Sequence, residues 1–143
     1  MLNEKKQEAT VFKQGENYWL SFIIINKSSH IWYLYPEQLS NNNDFLRVYD
    51  SGHKNMGRPH KAIFACMLLP NFAVPRNDTM KIELPWQAIS GYNTKYFCGL
   101  DSTTKPLPIG NYRTGFKAEF KLAISNKEVY SKELSFEKQF QIQ

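Results

Sequence analysis

Leu107-Pro108-Ile109-Gly110-Asn111-Tyr112-Arg113-Thr114-Gly115-Phe116-Lys117-Ala118-Glu119-Phe120-Lys121-Leu122 is the stretch whose reading decides the fold. It opens as a turn, because Pro108 presets φ and Gly110 tolerates φ > 0. Strict alternation follows. Tyr112, Thr114, Phe116, Ala118, Phe120 and Leu122 point one way, and Arg113, Gly115, Lys117, Glu119 and Lys121 point the other. A period of two over this length predicts one long strand with a buried face and a wet face. The buried face needs partners, which the rest of the chain must supply.

Downstream, Ser125-Asn126-Lys127-Glu128 reads as a hairpin turn. The last strand follows, with Tyr130, Leu134, Phe136, Phe140 and Ile142 on one face. Upstream, strands are expected at 9–13, 18–25, 30–35, 45–50 and 79–84, separated by polar turns or stopped by Pro36 and Pro85. Residues 38–44, 53–59 and 71–78 read as loops. Ala62 to Leu69 is a continuous apolar run; its length and the flanking Pro59 and Pro70 favour a strand over a helix. The stretch 85–111 has no clear pattern, with a helical turn at 86–89 and a short strand at 95–98 as its candidate elements. Residues 1–7 read as a flexible tail. About eight short strands and no long helix predict an all-β, antiparallel β-sandwich forming one domain over residues 1–143.

Composition bounds the function. With 42% hydrophobic and 15% aromatic residues in 143, the chain can bury a core. No apolar run reaches the ~20 residues of a helical membrane span. The net charge of +5 comes from scattered Lys and Arg rather than a stripe, which argues against nucleic acid as a partner. The polar N-terminus has no apolar centre of a signal peptide, so the expected location is the cytoplasm, or the periplasm or exterior if a signal was removed.

Few residues suggest chemistry. His53 and His60 share a loop near Asp50, but their spacing fits no tight ligand motif, so no metal is expected. Ser51 lacks a nucleophile elbow, Cys66 sits in an apolar run that disfavours a thiolate, and Cys98 has no base beside it. The expectation is a non-enzymatic protein without a cofactor. Cys66 and Cys98 form a disulfide if the protein is exported; otherwise Cys66 is a buried free thiol. Asn26-Lys27-Ser28 and Asn77-Asp78-Thr79 match glycosylation acceptors and read as ordinary turns.

The order of elements resembles an immunoglobulin-like module found beside or within bacterial and fungal peptidases and their inhibitors. The resemblance rests on Ile25-Asn26-Lys27-Ser28, Val48-Tyr49-Asp50-Ser51-Gly52, Met80-Lys81-Ile82-Glu83-Leu84 and the corner Pro108-Ile109-Gly110-Asn111-Tyr112. Similar pieces occur in intracellular proteinase inhibitors and in the accessory region of deuterolysin-like metallopeptidases. The resemblance implies an immunoglobulin-like sandwich and a protein that binds a peptidase or another enzyme, as an inhibitor or immunity-type protein. The insertion between Trp86 and Pro108 departs from the pattern, and no inhibitory loop carries over.

Aromatics supply the remaining signal. If each connection reverses the chain, turns at 26–30, 51–60 and 85–111 share one end, and those at 14–17, 36–44, 70–78 and 125–128 the other. The first end gathers His53, Arg58, His60, Trp86, Tyr92, Lys95, Tyr96 and Phe97, which are the expected partner-binding residues. Trp86 and Phe97 have a second reading, as plugs of one end of the core. The alternative function is carbohydrate binding by exposed aromatics on a sheet face.

Overall fold

The decisive stretch is one arm of a long hairpin in the computed structural model, which describes residues 1–35, 37–40, 42–61, 71–92, 94, 97, 99–125 and 127–143, with 37 and 40 as backbone only. In chain order the described elements are β1 (Val11–Phe12), β2 (Trp19–Asn26), β3 (Trp32–Leu34), α1 (Glu37–Ser40), β4 (Val48–Asp50), β5 (Asn55–Gly57), β6 (Phe72–Val74), β7 (Asp78–Pro85), β8 (Gly110–Ala118), β9 (Lys121–Ile124), β10 (Lys127–Tyr130) and β11 (Leu134–Ile142). The protein is thus nearly all β. Its pairings are antiparallel except that β1 runs parallel to the end of β11.

β8 pairs with β11 from Gly110↔Ile142 to Ala118↔Leu134, and β9 with β10 from Lys121↔Tyr130 to Ile124↔Lys127. Between the two ladders the first arm has residues 119–120 and the second has 131–133. An unequal break of this kind bends a β-ribbon, much as a bulge does. The Phe120 amide donates to Ser131 Oγ at 2.8 Å, and the Ser131 amide donates to the Phe120 carbonyl at 2.8 Å. The strand expected to run unbroken through Leu122 therefore divides at Glu119–Phe120, although the alternation predicted for it persists. Tyr112, Phe116 and Phe120 are buried, and Lys117 and Glu119 are exposed. At its start, the Tyr112 hydroxyl donates to the Pro108 carbonyl at 2.7 Å and pins the corner.

β3 and β4 both lie against the first arm, through Leu34↔Leu122 and Asp50↔Tyr112. They are two pieces of one strand position, interrupted by residues 35–47 and α1. β6 flanks β3 and β5 flanks β4. Opposite this layer, β2 and β7 pair from Trp19↔Pro85 to Asn26↔Asp78. Phe22 of β2 joins the layers, with ring centroids 5.4–6.4 Å from Phe45, Phe116, Phe120 and Phe136. Antiparallel sheets sharing this core are consistent with a β-sandwich.

Several local expectations change. The described residues hold eleven short strands against about eight expected. β5 and β6 fall in stretches read as loops, and α1 in another. Residues 86–89 form no helical turn. The segment read as a tail is tied down: Leu2 and Trp19 exchange backbone hydrogen bonds of 2.9 and 2.8 Å, and the Lys6 ammonium lies over the Trp19 ring and 3.3 Å from Glu83. The strand expected at 62–69 lies outside the described residues, as do all of 95–98 except Phe97, which is in no strand.

Phe116→Ala is expected to lower stability by about 3–5 kcal/mol, as a large truncation of the core. Lys117→Ala, one residue on, should change it by less than about 0.5 kcal/mol. A Cβ at Gly115 would lie 2.6 Å from the Phe136 carbonyl, so Gly115→Ala should also destabilise. Urea denaturation of the three variants checks the register.

Candidate functional site

The sequence placed the site among aromatic loops at one end, and the structure puts most of those side chains inside. Trp86 is 1% exposed. Its ring stacks on Tyr18 at 5.8 Å and its Nε1 donates to the Lys105 carbonyl at 2.8 Å, which closes the long 86–109 connection over the core. Phe97 is buried against Phe45 and His60, with centroids 5.9 and 4.4 Å away. The half-buried Tyr92 packs edge-on against Trp19 and donates its hydroxyl to the Glu83 carbonyl at 2.6 Å. These rings fill the interior because a sandwich end needs large apolar plugs. Lys95, Tyr96, Cys66 and Cys98 lie outside the described residues.

The two long loops do meet. The Asp101 amide donates to the Pro59 carbonyl at 2.9 Å, and the Lys61 amide to that of Gly99 at 3.2 Å. The strict alternation of ends does not hold. Asp50↔Tyr112, Phe12↔Ile142 and Gly110↔Ile142 put the 14–17 turn at the same end as the 51–54 turn. The 26–30 and 75–77 turns also share an end, because Asn26 pairs with Asp78 and donates to the carbonyls of Val74 and His30. β5, β6 and the parallel β1 add reversals that the sequence pattern did not show.

Two histidines contrast. His53 is exposed at φ 65°, in the turn capped by Asp50, and its Nδ1 lies 2.6 Å from Arg113 Nη2. A guanidinium only donates, so Nδ1 is the acceptor in this contact. His60 is 1% exposed, and neither ring nitrogen has a hydrogen-bond partner among the described residues. Arg58, half-buried, has its Nη1 buried without a partner among the described residues.

A different surface is more open. Between the layers lies an almost wholly apolar cavity of about 350 Å³, lined by Phe22, Ile23, Ile24, Trp32, Leu34, Phe120, Leu122, Ser131, Leu134 and Phe136. Ser131 brings the one hydroxyl, already engaged with Phe120 and with the Lys132 carbonyl. A second cavity, of about 370 Å³, lies beside Leu20 and Ser21 of β2 and reaches Thr114 and Lys138, with Met1, Glu8, Ala9 and Thr10 of the N-terminal segment also in its wall. The apolar cavity marks an open seam between β2 and β11 at Phe22–Ile24. Ile23 and Ile25, at 46% and 55% exposed, add apolar surface on β2. The sequence placed Phe22 within the strand expected at 18–25 and Leu134 and Phe136 on one face of the last strand, without marking any of them as part of a site. The available signal was that β2 is apolar on both faces, although an antiparallel sandwich strand usually keeps one face wet.

A third feature lies on the outer face of the β10-β9-β3-β6 sheet. Tyr33 sits between Ala123 and Ala73, and Tyr130 is opposite Lys121. The Lys121 ammonium lies 4.9 Å from the Tyr35 ring centroid and is paired with Glu128 at 2.5 Å. Tyr33 and Tyr130 are exposed.

Compared with protein-family models, with curated proteins and with solved structures, the chain matches none. Among the described residues no helix is long and apolar enough to cross a membrane.

His60 yields a pH prediction. Burial, then the charges of Arg58 and Arg47, hold its pKa down at about 3 against an ordinary 6.5, while Asp101 acts in the opposite sense. The unfolded chain takes up this proton near pH 6.5 and the folded chain only near 3. The contribution is thus fully present above pH 6.5 and is lost as the pH falls toward 3, by up to about 1.4 kcal/mol per pH unit. His60→Phe should remove that part of the acid sensitivity, read as the change in unfolding free energy between pH 7 and pH 4. An unchanged pH slope would refute the assignment.

Proposed function

We propose that this chain is a non-enzymatic protein-binding module of immunoglobulin-like architecture, which acts as an inhibitor or immunity-type protein on a peptidase or another enzyme. The observation that carries the reading is the open apolar groove between β2 and β11. Exposed apolar surface at a groove is what a protein interface buries. Arg113, His53 and Tyr49 at one end of β8 add the residue types that commonly anchor contacts.

Three features support the architectural part. Tyr112 hydrogen-bonds back to Pro108 at the start of the long strand, the geometry of a tyrosine corner. Trp32 stands on the strand that pairs with β9. The first strand runs parallel to the last while β2 pairs with β7 in the facing layer. Merging β8 with β9, β10 with β11 and β3 with β4 brings the strand number close to the eight first expected.

Carbohydrate binding is a second reading, favoured by the tyrosine face. Tyr33 flanked by two alanines offers a flat stacking surface, and Glu128 and Lys121 offer polar partners beside it.

A photo-crosslinking residue in place of Leu134, which is 43% exposed, should capture a specific protein partner. Binding of that partner, once purified, should weaken by about 1–3 kcal/mol in Leu134→Lys and not change in a double alanine variant of Tyr33 and Tyr130. The reverse pattern, retention on a polysaccharide that is lost in the tyrosine variant alone, would establish the second reading instead.

A further inference from the structure

We infer that the seam accepts an extended peptide segment of a partner protein, apolar at alternate positions and flanked by acidic residues, which adds as a strand to the edge of β2 away from β7. The inference rests on the protein-binding reading and specifies its partner. Its first support is which residues line the groove. Successive side chains of a strand point to opposite faces, so a cavity under one face touches every second residue. β11 behaves that way, contributing Leu134 and Phe136. β2 contributes three consecutive residues, Phe22, Ile23 and Ile24. The groove therefore runs along the edge of β2 and reaches only the inner face of β11.

Backbone pairing gives the second support. Among the described residues β2 pairs with β7 on one side, and on the other side only Trp19 has a partner, Leu2. From Leu20 onward that edge has no further backbone partner among the described residues, and at Phe22–Ile24 it lies beside an apolar floor. A fatty chain would fill the floor and leave the edge groups dry. An extended peptide satisfies both at once, with backbone hydrogen bonds to the edge and alternate side chains in the groove. A second copy of this chain fits less well, because the inward side chains of its own β2 are already committed to its own core, Phe22 to four aromatic rings.

Charge selects the flanks. Lys27 follows the far end of β2, Lys132 adjoins Ser131 and Lys138 lines the second cavity. None of the three forms an ion pair among the described residues, whereas the nearby Glu133 is paired with Lys117. Against these three lysines stands Glu8, which lines the second cavity with Lys138, and the remaining positive excess complements an acidic segment.

The test uses the full chain and labelled decapeptides alternating Ile or Val with Thr between Asp-Glu flanks, followed by fluorescence anisotropy. The acidic alternating peptide is expected to bind. Methylating its alternate backbone amides should weaken binding at least tenfold, and Lys flanks should weaken it several-fold. Both Leu134→Lys and Ile23→Lys should abolish binding with the circular dichroism spectrum unchanged; both positions are 43–46% exposed, so two variants guard against one misfolding. Binding indifferent to N-methylation, or matched by a dodecanoate probe that displaces the peptide, would overturn strand addition. So would a sedimenting dimer that dissociates in Leu134→Lys. If no peptide binds but the partner crosslinked at Leu134 still requires that residue, strand addition fails while the protein-binding reading stands.

Discussion

Where the long hairpin breaks, the amides of Phe120 and Ser131 are each satisfied across the gap, one by a side-chain oxygen and one by a carbonyl. Ser131 Oγ also donates to the Lys132 carbonyl at 2.7 Å. Buried backbone groups must find such partners, so the serine hydroxyl lets the ribbon bend without orphaning its amides. The bend permits one hairpin to serve two sheets, with β8 and β11 in one and β9 and β10 in the other. It also shapes the surface. Phe120, Leu122, Ser131, Leu134 and Phe136 lie on either side of the break, and all of them line the groove under β2. The opening is thus a consequence of how the ribbon turns rather than of a special loop.

The same logic explains the aromatic loops. A sandwich needs its ends closed, and this chain closes one with stacked rings. Phe12, Tyr18, Trp86, Tyr112 and Phe140 form a continuous set, with neighbouring centroids 4.9–6.1 Å apart. The polar tips reach out of that set: Trp86 to the Lys105 carbonyl, Tyr112 to that of Pro108. Tyr18 keeps a buried hydroxyl without a partner, and burial pushes its pKa well above the ordinary range. Rings committed in this way cannot also serve a partner, which moves the candidate interface from the loops to the seam.

How much of this was legible follows from what is local. The alternation from Tyr112 to Phe120 and the Pro-x-Gly-x-Tyr corner were readable, because period and turn chemistry are written within a few residues. The hydrophobic alternation of Met80, Ile82 and Leu84 was readable for the same reason, and all three are buried. β5 was not, since Asn55-Met56-Gly57 has no strand propensity and is held by the β4 hairpin alone. The N-terminal turn was not, because Leu2 acquires its partner, Trp19, only in three dimensions. The loop aromatics were ambiguous in principle, since a buried plug and an exposed anchor use the same residues. The groove was invisible because it depends on how β2 and β11 face each other across the layers, which no local pattern records.

The β2–β7 pair then poses an energetic question. Two strands alone are marginal in water, and this pair has no third strand among the described residues. It persists because its inner face is bonded to the opposite layer through Phe22, Leu20, Ile82 and Leu84, which are in the shared core cluster or packed against it. Its outer edge gains nothing from that packing. Exposed Ile23 and Ile25 on an edge with no strand partner among the described residues would ordinarily invite self-association, and edge strands are usually protected by charge, proline or cover. Here the protection is partial: Lys6 and Leu2 cap the Trp19 end, and Lys27 follows the Asn26 end, while the residues between carry no charge. An edge left apolar in the middle and guarded at both ends excludes long, indiscriminate pairing but leaves room for a short extended segment, and that asymmetry is the physical reason to look for a partner along β2.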